Sequence, residues 1–141
     1  AVTPEVEEDE NEAIEVVTPA TYYLKNGKHY IVYEEVVEGT SGVIKNRIKI
    51  NGDECVEIVK SGLSNSHMIF EKNKKNQTFY KTPYGQMLIG VNTRHLQVDF
   101  EEDKIAVQID YELDVNHEPM ADCKIRMNIV SKDSGKFSVL S

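Results

Sequence analysis

The sequence has few of the residues that build disulfide frameworks or membrane-spanning segments. It contains two cysteines, four prolines and no tryptophan among 141 residues. Two thiols in a chain of this length make no disulfide framework. Both stand among alternating apolar residues, so we expect Cys55 and Cys123 to be small core residues with free thiols. No apolar run approaches the ~20 residues of a membrane helix, and no signal peptide is visible. A cytoplasmic, soluble protein is therefore expected.

Basic residues are also in short supply. The formal net charge is -8, with 24 acidic residues against 16 lysines and arginines. Because this excess repels phosphates and anionic lipid heads, we expect no nucleic-acid partner and no membrane partner. The length suits one domain, residues 1–141, with its own core. Residues 5–12 form an acidic run that predicts a hydrated loop, and residues 131–141 are expected to form a C-terminal tail.

Alternation of apolar and polar residues with period two runs through nearly all of the remaining chain, and helical periodicity is nowhere sustained. Asn26-Gly27 between two apolar alternating segments is the strongest short hairpin signal, and Asn51-Gly52 predicts a second hairpin. Short turns without helical crossovers require a mainly antiparallel sheet. We therefore predict an all-β protein of about eight to ten strands, closed into a small barrel, with a two-sheet sandwich as the alternative.

The last two strands allow a prediction of register. Residues 105–115 and 121–130 both have two distinct faces, so they are expected to pair as a hairpin around residues 116–119. The apolar set Ile109, Tyr111 and Leu113 must then lie on the same face as Cys123, Ile125 and Met127. Two registers satisfy this rule. We predict the one that places Tyr111 opposite Ile125, because the other places Glu112 against Asp122, and like charges directly opposite are unfavourable.

No pattern of catalytic or metal-binding residues stands out. The four histidines lack the spacing that directs two imidazoles at one metal ion, and no local signature surrounds a serine or cysteine nucleophile. Glu34, Glu35 and Glu38 form a small acidic cluster that could hold a general acid and a general base. Solvated charges at a strand end explain it better. We expect no catalytic residue, no metal and no cofactor.

A series of short motifs resembles one known family. The motifs are Thr21-Tyr22-Tyr23, Tyr33-Glu34-Glu35, Ser61-Gly62, Met68 with Phe70, Tyr80-Lys81-Thr82-Pro83-Tyr84-Gly85, Val91 with Thr93, and the alternating run from Ile105 to Leu113. In this order they resemble the YwiB-like proteins, a bacterial family of unknown function. The resemblance implies a calycin-like barrel, related to the lipocalins, and implies no activity. Two positions depart from the family pattern. Lys60 stands where an arginine is common, and Pro19-Ala20 stands where a glycine is common.

Tyrosines in or beside the predicted strands are the remaining functional clue. A tyrosine offers a flat apolar body and one polar group, which suits a ligand pocket, although tyrosine also favours strands for packing reasons alone. The candidate ligand-binding residues are Tyr33, Lys60, Tyr80, Tyr84 and Tyr111, with Lys60 as a cation for an anionic ligand head. The leading hypothesis is a non-enzymatic protein that binds a small, partly apolar molecule in the barrel or at its mouth.

Two further hypotheses remain open at this stage. The first is an interaction module that uses its sheet surface or an open edge to bind another protein or a second copy of itself as a homodimer. The second is a hydrolase or isomerase whose site is assembled only in the fold, which requires a buried histidine or carboxylate beside a cavity.

Overall fold

The structure consists of antiparallel strands joined by short turns. The computed structural model describes the backbone of residues 2–9, 12–15, 17–63 and 65–131, and the side chains of residues 17–63, 65–81 and 83–131. Eleven strands lie in these residues: β1 (Val2–Asp9), β2 (Glu12–Glu15), β3 (Thr21–Lys25), β4 (Lys28–Val36), β5 (Val43–Asn51), β6 (Cys55–Gly62), β7 (Ser66–Glu71), β8 (Lys75–Thr82), β9 (Gly85–Phe100), β10 (Lys104–Val115) and β11 (Glu118–Val130).

The strands form two sheets. One has six strands in the order β2-β1-β11-β10-β9-β8, and the other has five in the order β3-β4-β5-β6-β7. Within the described residues no strand pairing joins the two sheets, so the prediction of an all-β antiparallel fold is confirmed and full closure of a barrel is not shown. In the same part of the chain, no helix has the length and apolar character needed to cross a membrane.

The hairpin signals in the sequence mark real turns. Asn26 and Gly27 join β3 to β4 with φ values of 53° and 75°. Both lie in the left-handed region that a type I′ turn requires at its two central positions. Gly52 joins β5 to β6 with φ of 56°. Because the turns are tight, strands that follow one another in the chain also pair in the sheet. The five-stranded sheet therefore has a simple up-and-down order.

The core lies between the two sheets. It is built from the inward-facing positions of β4–β7 and β9–β11, which alternate with exposed polar positions along each strand. Ile31, Ile50, Phe70, Ile105 and Ile109 are fully buried. Burial of such side chains stabilises the fold by roughly 1.5–3 kcal/mol each. Cys123 belongs to this core, whereas Cys55 is half-buried, and the two cysteines do not form a disulfide with each other.

The acidic run at residues 5–12 is a correction to the sequence analysis, which predicted a loop there. The structure places Val2–Asp9 in β1 and Glu12–Glu15 in β2. In the ladder between β1 and β11, Glu5 stands opposite Arg126 and Glu7 stands opposite Lys124. The run therefore gains a backbone ladder and two basic residues opposite its glutamates, neither of which its local composition reveals. Of the predicted C-terminal tail, residues 132–141 lie outside the described residues.

The predicted register of the β10–β11 hairpin is wrong by two residues. Tyr111 stands opposite Cys123, and Glu112 stands opposite Asp122. The turn decides this register, because Asn116 and His117 both have positive φ and Val115 pairs directly with Glu118. A β-bulge between Leu113 and Asp114 absorbs one further residue of β11. The predicted face is confirmed, since the apolar sets of both strands lie together in the core.

In this register the charged side chains on the outer face of β10 form ion pairs with residues that are not directly opposite them. Arg126 Nη2 reaches Asp110 Oδ1 at 2.9 Å although the two residues are not directly opposite. Glu112 Oε2 lies 3.0 Å from Arg94 Nη2 on β9 instead of pairing with β11. Long cationic side chains can thus form diagonal pairs, and such exposed pairs are too weak, at roughly 0–1 kcal/mol, to override a tight turn.

Candidate functional site

A large cleft lies between the edge strands of the two sheets. Strands β7 and β8 follow one another in the chain and meet at the turn after Glu71, where Lys74 N donates to Glu71 O at 3.0 Å. The two strands do not pair with each other. β7 is an edge strand of the five-stranded sheet, and β8 is an edge strand of the six-stranded sheet. The cleft between them has a volume of about 880 Å³. This is within the range of about 300–1,000 Å³ that is usual for small-molecule sites.

The walls of the cleft are mainly apolar. Met68 from β7, Met87 and Ile89 from β9, and Tyr111 and Leu113 from β10 all line it. The ring of Tyr111 packs edge-on against the buried Phe70, with centroids 4.9 Å apart. At the rim, Leu63 and Phe79 are large apolar side chains that remain more than half exposed. The cleft therefore offers apolar contact surface that the fold itself leaves uncovered.

Three of the five predicted ligand-binding residues, Lys60, Tyr80 and Tyr111, line this cleft. The other two are elsewhere. Tyr84 stands in the turn between β8 and β9 and is 99% exposed. Tyr33 is buried in the core, where burial, followed by the nearby charge of Glu35, raises the pKa of its hydroxyl to about 12. Neither of these two tyrosines is among the residues lining the cleft.

Lys60 is not a free cation. Its Nζ lies 3.1 Å from Glu35 Oε1, and the same oxygen accepts a hydrogen bond of 2.7 Å from Asn46 Nδ2. The burial of Asn46 and the alternation along β4–β6 place this network on the inner face of the five-stranded sheet. Glu35 therefore offsets the charge of Lys60, and a second cation is needed for the cleft to favour an anion.

Lys81 supplies that cation, and the sequence analysis did not select it. It lies on β8 next to Tyr80, and because successive side chains alternate between faces, it stands on the outer face with Phe79 and borders the cleft at its rim. Among the described residues no carboxylate lies within ion-pair distance of Lys81. The only sequence signal was its place inside the Tyr80–Gly85 motif. The sequence of β8 alone does not show which charges lie near Lys81, because the opposite wall of the cleft comes from β6 and β7.

None of the described residues that line the cleft carries a carboxylate, although the chain has 24 acidic residues. The lining includes Lys60, Lys81 and His67. His67 Nε2 lies 2.8 Å from Glu57 Oε1 outside the lining, and this hydrogen bond is the main cause that holds the pKa of Glu57 below its ordinary value. The cleft is thus a neutral-to-positive region on an acidic protein.

A smaller cavity of about 210 Å³ continues the cleft toward the turn between β7 and β8. It shares His67 and Thr78 with the larger cleft and is also lined by Asn76. The Asn76 Nδ2 atom is buried and has no hydrogen-bond partner among the described residues. A buried donor without a partner is costly, so the Asn76 amide is a polar group that the described residues leave unsatisfied in this wall.

The acidic cluster considered in the sequence analysis does not form a pair of catalytic carboxylates. Glu34 faces solvent, while Glu35 turns inward to Lys60 and Asn46. Glu38 is exposed beyond the end of β4. Among the described residues, no group of three or more histidines, cysteines or carboxylates is placed to hold a metal ion. The cleft is therefore the candidate functional site among these residues.

The fold is that of an all-β, barrel-like protein. Its two antiparallel sheets have a ligand-sized cleft between their edge strands β7 and β8. The chain belongs to the family described as Domain of unknown function (DUF1934), whose model matches residues 2–127. It is 31% identical over 114 residues to the uncharacterized beta-barrel protein YwiB of Bacillus subtilis (strain 168). The aligned region covers 80% of this chain and 78% of that protein.

The crystal structure of the ywiB protein from Bacillus subtilis has the same fold. It superposes with a TM-score of 0.75 at 24% identity, covering 94% of this chain and 89% of that chain. The resemblance to YwiB-like proteins is therefore confirmed, and it extends to the fold.

Proposed function

We propose that this protein is a non-enzymatic binding protein that holds a small, partly apolar ligand in the cleft between β7 and β8. The observation that carries the proposal is the cleft itself. It combines about 880 Å³ of space, apolar walls and a lining without carboxylates. Apolar walls with a few convergent polar groups are the usual composition of a ligand site.

The charges of the lining support a ligand with an anionic group. Lys81 stands at the rim without an ion-pair partner among the described residues, and Lys60 shares its charge with Glu35. An anionic group beside Lys81 gains an attraction that water only partly screens, while the apolar part of the ligand covers Leu113 and Met68. Lys81 thus joins Lys60, which the sequence suggested as a cation for an anionic ligand head.

Two fluorescent probes test the proposal. One is the anionic 8-anilinonaphthalene-1-sulfonate, and the other is the neutral N-phenyl-1-naphthylamine. We expect both to bind, and Phe79→Ser to weaken both, because Phe79 is exposed at the rim and its removal leaves the core intact. Lys81→Met should weaken only the anionic probe, by about fivefold, which corresponds to roughly 1 kcal/mol.

Matched variants outside the cleft serve as controls. Lys124→Met removes an exposed cation from β11, and Tyr84→Ala removes an exposed aromatic ring from the β8–β9 turn. Both variants should bind the two probes as the unchanged protein does. If the control variants weaken binding as much as Phe79→Ser and Lys81→Met do, or if neither probe binds, the cleft is not the ligand site. Native mass spectrometry of the purified protein checks directly for a retained ligand.

A further inference from the structure

The edges of β7 and β8 face one cleft, and no described strand pairs with either edge there. Exposed edges in soluble proteins are usually blunted by proline, by charged residues or by a β-bulge. β7 contains no proline, its one carboxylate, Glu71, is its last residue, and its register with β6 is regular from Cys55–Glu71 to Lys60–Ser66. The register of β8 with β9 is regular over all eight residues of β8. Both edges therefore keep a straight row of backbone groups.

The lysines of β8 lie near its two ends and leave its middle uncharged. Lys75 turns away to an ion pair with Asp114, and Lys81 lies near the opposite end. Between them, residues 76–80 carry no charge, and Asn76 lines the narrow end of the cleft. No described strand pairs with the outer edge of β8, so this edge is open to a hydrogen-bonding partner along its uncharged middle.

We propose that the ligand of the cleft is a short extended peptide segment that adds to the edge of β8 as a further strand. This inference rests on the proposed binding site and names the class of its ligand. An added strand satisfies the backbone groups of the edge, and alternate side chains of the peptide point into the cleft toward Tyr111 and Leu113. The peptide carries a carboxylate, from its C-terminus or an acidic side chain, placed beside Lys81.

The charge of the molecule favours such a segment over a second folded copy. Two copies with a net charge of -8 each repel one another, whereas the lining of the cleft contains lysines and no carboxylate. The edge of β8 also faces the wall that β6 and β7 form on the other side of the cleft, which leaves little room for a folded partner. A single extended segment needs only the width of one strand, about 4.8 Å, to reach it.

A library of seven-residue synthetic peptides with free C-terminal carboxylates tests the inference, using displacement of 8-anilinonaphthalene-1-sulfonate from the full chain as the readout. We expect the selected peptides to show apolar residues at alternate positions. N-methylation of alternate amides should weaken binding at least tenfold, because only those amides face the edge of β8. Amidation of the C-terminus, or of an acidic side chain, should remove the effect of Lys81→Met.

Several results would overturn the inference. Selected peptides that tolerate N-methylation at every position bind through side chains alone and form no added strand. A chain that assembles into dimers through this edge, seen by light scattering and suppressed by a charge at the edge such as Gln77→Lys, has a second copy as its partner. If the probes bind the cleft and no peptide displaces them, the proposed ligand site stands and the peptide inference fails.

Discussion

Lys75 Nζ lies 2.5 Å from Asp114 Oδ2, on the outer surface of the six-stranded sheet, and the absence of a side chain at Gly90 makes room for the pair. Asp114 is almost fully buried, with 8% of its side chain exposed, while Lys75 keeps 41% exposed. A Cβ atom at position 90 would lie 3.0 Å from Lys75 Cε and 3.3 Å from Asp114 Cβ. The pair joins β8 to β10 across β9, and it therefore supports the wall of the cleft.

The first prediction concerns this ion pair. Lys75→Met keeps the packing of the lysine stem but leaves the buried Asp114 carboxylate without its cation, so the free energy of unfolding should fall by roughly 1–3 kcal/mol. Urea unfolding followed by circular dichroism measures the change. The matched control is Lys74→Met, because Lys74 is exposed and its pair with Glu71 at 3.4 Å should contribute less than about 0.5 kcal/mol. Equal effects of the two variants would show that burial of Asp114 plays no part.

The second prediction concerns the stability in mild acid. His29 Nδ1 lies 2.6 Å from the Tyr22 hydroxyl oxygen, and burial lowers the pKa of the His29 imidazole. The unfolded state then binds a proton more readily than the folded state. This contribution to stability is complete above the unfolded pKa of about 6.5 and is lost as the pH falls below it.

Urea unfolding at pH 7.5 and pH 5.5 measures this loss. His29→Gln removes the titrating group, so its stability should fall less between the two pH values than that of the unchanged protein. The exposed His117 provides a control, since His117→Gln should keep the original pH dependence. A pH dependence that His29→Gln leaves unaltered would contradict the role assigned to His29.

The third prediction concerns the turn that sets the register of β10 and β11. His117 has φ of 70°, in the left-handed region where a side chain is strained and glycine is not. His117→Gly should therefore raise the free energy of unfolding by about 0.5–1 kcal/mol. Asn116 also has positive φ, but its Oδ1 accepts a hydrogen bond of 3.0 Å from Leu88 N, so Asn116→Gly should bring no such gain. Thermal unfolding of both variants decides the matter, and a loss of stability in His117→Gly would contradict the prediction.

The fourth prediction concerns the two thiols. Cys123 is buried in the core, whereas Cys55 is half-buried, and burial with the neighbouring Glu71 and Glu57 raises the pKa of the Cys55 thiol. The thiolate is the reactive form, so Cys55 should react with a bulky thiol reagent more slowly than an exposed cysteine, and Cys123 more slowly still. The single variants Cys55→Ser and Cys123→Ser separate the two rates. Faster labelling of Cys123 would place it outside the core.

The candidate site was partly predictable from the sequence. Period-two alternation places Tyr80 on the inner side of β8 and Tyr111 on the inner side of β10, because side chains in a strand alternate between two faces. It does not tell which inner positions lie in the filled part of the core and which lie beside the cleft. Tyr33 and Tyr111 are both buried at inward positions, yet only Tyr111 also lines the cleft. Tyr84 stands in the turn that ends its motif, and it lies outside the residues that line the cleft.

The sequence by itself determined the all-β class, the antiparallel hairpins at Asn26-Gly27 and Asn51-Gly52, and the faces of β10 and β11. These features depend on local alternation and on backbone conformations that asparagine and glycine adopt readily. Only the tertiary structure decided the register of Tyr111 with Cys123, the pairing of the acidic β1 with β11, and the joining of Lys60 and Lys81 at one cleft. Each depends on contacts between segments far apart in the chain, where turn geometry and strand order outweigh the weak preferences of individual charge pairs.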